Sequence, residues 1–129
     1  MEQQQSLKTA VVRGATGYDP KTGAISIPIY QSATFRHEAF GETTGYDYSR
    51  LQNPTREELE KTIALLEGGC GALAFSSGMA AISTVAKLFR SGDHLILSDD
   101  LYGGTYRVFT EIYSRFGMEV TFVDTSEPE

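Results

Sequence analysis

Cysteine is nearly absent from this chain: Cys70 stands alone among 129 residues. A single thiol excludes an internal disulfide and any cysteine-based metal cluster. Positive charge is also scarce, with 11 Lys plus Arg against 17 Asp plus Glu, a formal net charge of −6 and a pI near 4.9. That balance argues against a nucleic-acid binder, which needs a dominant positive face to neutralise phosphates. No apolar run approaches the roughly 20 residues of a membrane-spanning helix. The first ten residues, with Glu2, three Gln and Ser6, lack the basic and apolar regions of a signal peptide, and a soluble, cytoplasmic protein is expected. The only asparagine, Asn53, is followed by Pro54, which voids the glycosylation triplet it begins. Internal repeats and low-complexity runs are missing too. What remains is 40% hydrophobic and 22% charged, the composition of a foldable globular protein and not of a disordered one. The length suits one ordinary domain better than two complete ones.

The two halves of the chain differ. Up to about Gln52 little periodicity is sustained, and turn signals recur at Gly14, Gly17, Asp19 to Gly23, Pro28, Gly41 and Gly45. Ile25, Ile27, Ile29, Phe35, Phe40, Tyr46 and Tyr48 nevertheless make this stretch too apolar for a free tail. Residues 1–52 therefore read as an arm that buries these side chains against a neighbouring subunit or against protein outside this chain. From Asn53 onward regular elements are expected. Asn53-Pro54-Thr55 opens a helix in which Thr55 and Glu58 have capping-box spacing, Leu59, Ile63 and Leu66 form a stripe, and Gly68-Gly69 stop it. Ala72–Phe75 reads as a first strand, Met79 to Phe89 as a second helix, and His94–Ser98 as a second strand. Gly103-Gly104 precede a third helix that carries Val108, Phe109, Ile112, Tyr113 and Phe116 and is closed by Gly117, and Glu119–Val123 reads as a third strand. Strands alternating with helices predict an α/β fold, a parallel sheet flanked by helices with right-handed crossovers. Three strands leave edges and faces uncovered, so more sheet than this chain supplies is expected.

Ligands of open parallel sheets collect beyond the carboxyl ends of the strands. That rule selects Ser76-Ser77-Gly78-Met79, Asp99 to Gly104, and Asp124-Thr125-Ser126. The first suits a phosphate: glycine admits close approach, the free amides of a helix start point outward, and the helix dipole favours an anion. The same tripeptide is equally at home as a plain N-cap and turn. It is neither a P-loop, since no lysine follows the glycine, nor a Gly-x-Gly-x-x-Gly loop. Tyr102 places an aromatic ring at the end of a strand, where it stacks on a planar ligand or is simply half-buried. Tyr46, Tyr48 and Arg50 form an aromatic and cationic group in the arm, in which Arg50 can hold a phosphate through two bonds and Tyr48 can donate a hydroxyl; taken alone, the triplet reads sooner as a surface arginine beside packing tyrosines. His37 and His94 lack ligand spacing, and no metal site is expected. Cys70, in a Gly-rich turn with no histidine nearby in sequence, reads as an inert thiol.

Taken in series, Tyr-Asp-Tyr-Ser-Arg-Leu-Gln-Asn-Pro-Thr-Arg at 46–56, Ala-Phe-Ser-Ser-Gly-Met-Ala-Ala at 74–81 and Asp-Asp-Leu-Tyr-Gly-Gly-Thr-Tyr-Arg at 99–107 are far more specific than any one alone. Together they resemble the transsulfuration (Cys/Met metabolism) family of pyridoxal-phosphate enzymes, from about Lys8 to Val123. The resemblance implies the first part of the large cofactor-binding domain of a fold-type I, aspartate aminotransferase-like enzyme over 53–129, preceded by the arm over 1–52. It implies pyridoxal 5′-phosphate as cofactor and the making or breaking of a C–S bond, as in cystathionine γ-synthase and the cystathionine lyases. The substrate would be a small sulfur amino acid or an activated homoserine. By the same resemblance, Gly78 and Met79 offer amides to the cofactor phosphate with Ser76 and Ser77 nearby. Tyr102 stacks on the pyridine ring and helps move protons. Tyr48 and Arg50 reach a neighbour's phosphate across a dimer interface, in a dimer of dimers.

Two departures stand out. Gly104 occupies a place where methionine γ-lyases typically carry a cysteine, which counts against that member of the family. The four lysines, Lys8, Lys21, Lys61 and Lys87, all lie away from the carboxyl end of a strand, so none reads as the Schiff-base lysine. The aspartate that holds the pyridine nitrogen is likewise not assigned to Asp99, Asp100 or Asp124. The expectation is therefore an N-terminal portion of such an enzyme, inactive by itself. Its rivals are a non-catalytic fragment or interaction module that keeps only the phosphate cup and the dimer arm, and, further behind, an unrelated nucleotide-binding α/β domain.

Overall fold

The computed structural model describes residues 6–126 and divides into two units, Met1–Ala74 and Phe75–Glu129. Glu2 and the three glutamines, read above for a leader, lie outside the described residues, as do residues 127–129.

In the first unit a helix forms where no periodicity announced one. Helix α1 (Leu7–Arg13) is started by Ser6, whose hydroxyl accepts the Thr9 amide, and ends at Gly14, which takes the left-handed φ of 71°. Seven residues are too few to display a helical repeat, so caps and neighbours carry it. Helix α2 (Pro54–Glu67) packs along α1. Its N-cap is Asn53, whose side-chain oxygen accepts the Thr55 amide at 2.9 Å, with Pro54 in the first turn. The expected Thr55–Glu58 capping box does not form, because both side chains serve other partners. The Thr55 hydroxyl accepts the Tyr30 amide at 2.8 Å. Glu58 accepts the Thr16 amide at 3.0 Å and also the Thr16 hydroxyl, while Thr62 accepts the Ala15 amide at 3.0 Å. The polar face of α2 thus anchors the chain leaving α1, and Leu59 and Ile63 of the apolar stripe stay about half exposed within this unit. Gly68 ends α2 in the left-handed conformation, as expected of a helix stop.

Residues 15–52 run through turns and two isolated antiparallel bridges, Thr34 with Tyr48 and Ala39 with Glu42. Asp19 is the buried polar residue of this stretch. Its carboxylate accepts the Thr22 hydroxyl and amide, which holds its pKa below the usual value. The expected strand at Ala72–Phe75 is absent. The backbone there pairs with no strand among the described residues, and the Ala74 amide donates instead to Glu60 Oε1 at 2.9 Å. A side-chain carboxylate has taken the place of a ladder partner.

The second unit contains helix α3 (Gly78–Ala86), strand β1 (His94–Ser98), helix α4 (Gly103–Arg107) and strand β2 (Glu119–Val123). The strands pair in parallel, His94 opposite Glu119 through Ser98 opposite Val123, so the predicted β–helix–β unit is present with two strands rather than three. The single long helix expected after Gly103-Gly104 starts at Gly103 itself and changes pitch. After α4 comes a π-helical turn at Val108–Ile112 and a 3₁₀ turn at Tyr113–Phe116, closed by Gly117 at φ 80°. The Thr110 hydroxyl donates to Tyr106 O and the Ser114 hydroxyl to Thr110 O, the back-bonding that loosens a helical ladder. Ala86, Leu95, Phe109 and Met118 form the core, with Ile82, Leu97, Val108, Tyr113 and Val120 packed against it. Alternation sends Leu95 inward and Ile96 outward. His94, read as solvated, is exposed and shares a hydrogen bond with the Thr121 hydroxyl at 2.7 Å.

Candidate functional site

The helix start at Gly78 is built to leave two amides open. Ser77 has extended backbone, and its hydroxyl and carbonyl accept the amides of Ala80 (3.1 Å) and Ala81 (3.2 Å). The amides of Gly78 and Met79 therefore have no acceptor among the described residues, which is the orphaned state of any first helical turn. A Cβ on Gly78 would meet nothing within 4 Å. Packing inside the chain does not call for glycine there, whereas a ligand seated over the amides would. Ser76 makes no side-chain hydrogen bond among the described residues, so its hydroxyl is available.

Tyr102 is brought to the same place. It stands at the N-cap of α4, and its carbonyl accepts the amides of Thr105 (2.8 Å) and Tyr106 (3.2 Å). Tyr102 is 71% exposed. Met79 lies beside it through α4: the Thr105 hydroxyl is 4.0 Å from Met79 Sδ. A Cβ on Gly104 would come within 2.5 Å of the Tyr102 ring and 3.1 Å of Met79 Sδ. Gly104 is thus the gap that lets the ring, the sulfur and the helix start share one spot. Sequence reasoning noticed Gly104 only as a departure; the Gly-Gly doublet at a helix start was the available signal of close approach.

The third selected segment closes the carboxyl edge of the sheet. The Asp99 amide donates to Val123 O at 2.9 Å, and the hydroxyls of Ser98 and Thr125 lie 3.0 Å apart. Asp124 accepts the hydroxyl and amide of Ser126, and those bonds lower its pKa. Its carboxylate is occupied locally and caps the turn.

Tyr48 and Arg50 belong to the first unit and are described within it. The bridge to Thr34 and the Ser49 amide donating to Ala33 O hold the segment on one side. On the other, Leu51 and Gln52 donate to Tyr48 O, both at 2.9 Å, which makes a tight turn. The Arg50 guanidinium lies 4.9 Å over the Tyr48 ring, a cation–π contact that presents both groups together. Arg50 has no carboxylate partner among the described residues, unlike Arg56 and Lys61, which pair with Glu60 and Glu57. Tyr46, the third member of the aromatic group, donates its hydroxyl to Glu57 and packs on Phe35 with ring centroids 5.4 Å apart. It is a framework residue, not a ligand for an anion.

All four lysines, Lys8, Lys21, Lys61 and Lys87, are exposed. A lysine that holds a carbonyl cofactor covalently needs a desolvated pocket, and none of these has one. Among the described residues no cluster of three or more His, Cys, Asp or Glu is placed to hold a metal ion, and no helix is long and apolar enough to cross a membrane. Cys70 is exposed.

Open helix-start amides at Gly78 and Met79 and an exposed aromatic side chain at Tyr102 thus lie in one unit, linked through Met79, Thr105 and Gly104. The chain belongs to the Cys/Met metabolism PLP-dependent enzyme family, whose pattern it matches over residues 8–129. It is 55% identical over 122 residues to cystathionine gamma-lyase of Bacillus subtilis, covering 95% of this chain and 32% of that protein. It is 48% identical over 125 residues to the cystathionine gamma-synthase/O-acetylhomoserine (thiol)-lyase of the same organism, covering 97% and 34%. Among solved structures it superimposes on cystathionine gamma-lyase from Lactobacillus plantarum with a TM-score of 0.87 at 46% identity, covering 95% of this chain and 32% of that one. Cystathionine gamma synthase from Xanthomonas oryzae pv. oryzae superimposes equally well, TM-score 0.87 at 36% identity, covering 96% and 32%. The α/β fold read from the alternating elements is therefore that of this family's PLP enzymes. The chain spans about a third of the length of these relatives.

Proposed function

We propose that the protein carrying this chain makes or breaks a C–S bond in sulfur amino-acid metabolism. The reaction would be a β- or γ-elimination or a γ-replacement of the cystathionine γ-synthase or cystathionine lyase type. The observation that carries this reading is the pairing of unclaimed amides at Gly78 and Met79 with the exposed Tyr102 ring, on a chain whose relatives bear those names. The donor set fits pyridoxal 5′-phosphate: two amides at the positive end of a helix suit a phosphate, and a free aromatic face suits a pyridine. When bound, the cofactor supplies the electron sink for the reaction. The chain's own residues bind and orient it. Gly78 and Met79 donate amides to the phosphate, Ser76 adds a hydroxyl, and Ser77 holds the helix start rigid by capping Ala80. Tyr102 fixes the ring plane, and its phenolic oxygen, at the rim of the site, holds or passes a proton of the substrate.

Tyr48 and Arg50 serve a phosphate as a cation and hydroxyl pair on an arm over residues 1–52, which precedes the cofactor domain over 53–129. In the assembled enzyme this arm reaches a second subunit of a dimer, itself paired into a dimer of dimers. Ile25, Ile29 and Phe40, all exposed within the first unit, supply apolar surface for such an interface. The substrate is a small sulfur amino acid or an activated homoserine, and the enzyme works in the cytoplasm.

The test is turnover by the protein expressed from its full coding sequence and loaded with cofactor. Release of a keto acid, ammonia and a thiol from L-cystathionine and water, or formation of cystathionine and a free carboxylic acid from an acylated homoserine and cysteine, is expected. A folded, cofactor-loaded protein that does neither contradicts the proposal. The exposure of all four lysines favours a second reading of the 129-residue chain taken alone, as a module that performs no chemistry. Borohydride treatment with pyridoxal phosphate should then trap no single lysine of this chain stoichiometrically.

A further inference from the structure

Arg56 lies in the first turn of α2 and reaches back over the turn that carries Tyr48 and Arg50. Its Nη1 donates to Ser49 O at 3.5 Å and Arg50 O at 3.4 Å, and its Nη2 donates to Leu51 O. Three successive carbonyls, left without amide partners by the tight turn at Tyr48, thus converge on one guanidinium, a fork whose fixed donors suit such a set. The guanidinium is itself held from behind. Arg56 Nε pairs with Glu60 Oε1 at 3.4 Å, and the same oxygen accepts the Ala74 amide at 2.9 Å. Glu60 therefore ties the turn bearing Arg50, through Arg56, to Ala74 of the same unit. Arg56 and Glu60 are only partly exposed, 34% and 19% by side chain, so the pair is shielded better than an ordinary surface ion pair.

We infer that Arg56 and Glu60 are positioning residues for the anion-binding arm: Arg56 locks the 49–51 backbone so that the Arg50 guanidinium and Tyr48 are presented to a phosphate as a preorganised pair. The inference rests on the reading of Tyr48 and Arg50 as phosphate ligands. Arg50 has no carboxylate partner among the described residues, whereas Arg56 holds Glu60 and the local carbonyls. A side chain that organises a ligand without touching it reduces the ordering cost of binding, and its loss should be felt only by ligands that carry the phosphate.

The test compares pyridoxal 5′-phosphate with pyridoxal, which lacks the phosphate, by titrating the apo form of the full-length protein. Arg56→Gln is expected to weaken pyridoxal phosphate roughly tenfold, about the net worth of one hydrogen bond from the loosened arm, and to leave pyridoxal within about twofold. Arg50→Ala should show the same selectivity. The double variant should lose little beyond Arg50→Ala alone, since both act through one group. Glu60→Gln keeps an acceptor oxygen for Ala74 but loses the charge behind Arg56. It should give a smaller loss of the same selectivity, and it decides the matter if Arg56→Gln does not fold. Equal weakening of both ligands, or full additivity in the double variant, overturns the inference, as does unchanged phosphate affinity in Arg56→Gln while Arg50→Ala weakens it. If Arg50→Ala itself leaves phosphate affinity unchanged, the ligand role of the arm falls and this inference falls with it.

Discussion

A Cβ placed on Gly104 would stand 2.5 Å from Cε1 of Tyr102, so the position of the aromatic ring at the site depends on a missing side chain two residues away. The ring is largely exposed and can swing. Gly104→Ala should therefore change folding stability by less than about 1 kcal/mol while displacing the ring from its stacking position. Two measurements check this: the denaturation midpoint, expected to hold, and cofactor affinity, expected to fall severalfold. Unchanged affinity with a ring unmoved in a crystal structure of the variant would show that the gap is incidental.

Substitutions at Tyr102 separate stacking from proton transfer. Tyr102→Phe keeps the flat face and should retain cofactor affinity within about threefold, while turnover falls. Tyr102→Ala removes a stacking contact worth about 0.5–1.5 kcal/mol and should lower both. Steady-state kinetics beside a cofactor titration distinguish the two outcomes.

The side-chain caps at Asn53 and Ser77 make a further, independent prediction. Asn53 accepts the Thr55 amide and Ser77 accepts the Ala80 amide. Replacing either by alanine should cost about 1 kcal/mol in chemical denaturation, and replacing it by glycine only a few tenths. Thr55→Ala should destabilise by a different route, through the Tyr30 amide that loses its acceptor. Pairing it with Tyr30→Pro, which removes that amide N–H, and not with Glu58 variants, should expose the coupling.

Stability should also depend on pH through Tyr46 and Glu57. The hydrogen bond to Glu57, with burial and the nearby carboxylate charge, pushes the Tyr46 pKa up to about 12 from 10.0. A raised pKa means that the folded protein holds the phenolic proton more tightly than the unfolded chain does. This contribution is complete below pH 10 and is lost as the pH rises towards about 12. Glu57 is shifted the other way, first by Lys61 and then by Tyr46, below its ordinary 4.5. Its contribution is present above that value and lost as the pH falls through the lowered one. Thermal midpoints against pH should show a plateau between these limits, and Tyr46→Phe should flatten the alkaline limb.

What was legible in the sequence was whatever depends on local pattern. The parallel strands at His94–Ser98 and Glu119–Val123, the helix from Pro54 to Gly68 and the cap at Ser77 follow from alternation, proline placement and glycine stops. Hidden were the features in which a side chain replaces a backbone partner. Glu60 takes the Ala74 amide and with it the apparent strand at Ala72–Phe75, because an apolar run shows that a segment can pair but not with what. Glu58 leaves the capping box for Thr16, 42 residues away, a choice no spacing rule contains. The Arg56–Glu60 pair was visible as an i,i+4 spacing, but its hold on the carbonyls of 49–51 depends on a turn that only the folded chain displays. The close approach at Gly104 was equally out of reach, since a Gly-Gly doublet reads first as a helix start.

The central claim is that the open amides at Gly78 and Met79 and the ring of Tyr102 form part of a pyridoxal-phosphate site, and equilibrium dialysis of the full-length apo protein against the cofactor tests it most directly. The account predicts uptake approaching one cofactor per chain, with affinity that falls sharply when the phosphate is omitted. A stably folded protein that takes up no cofactor, or binds it as weakly as pyridoxal, would contradict it.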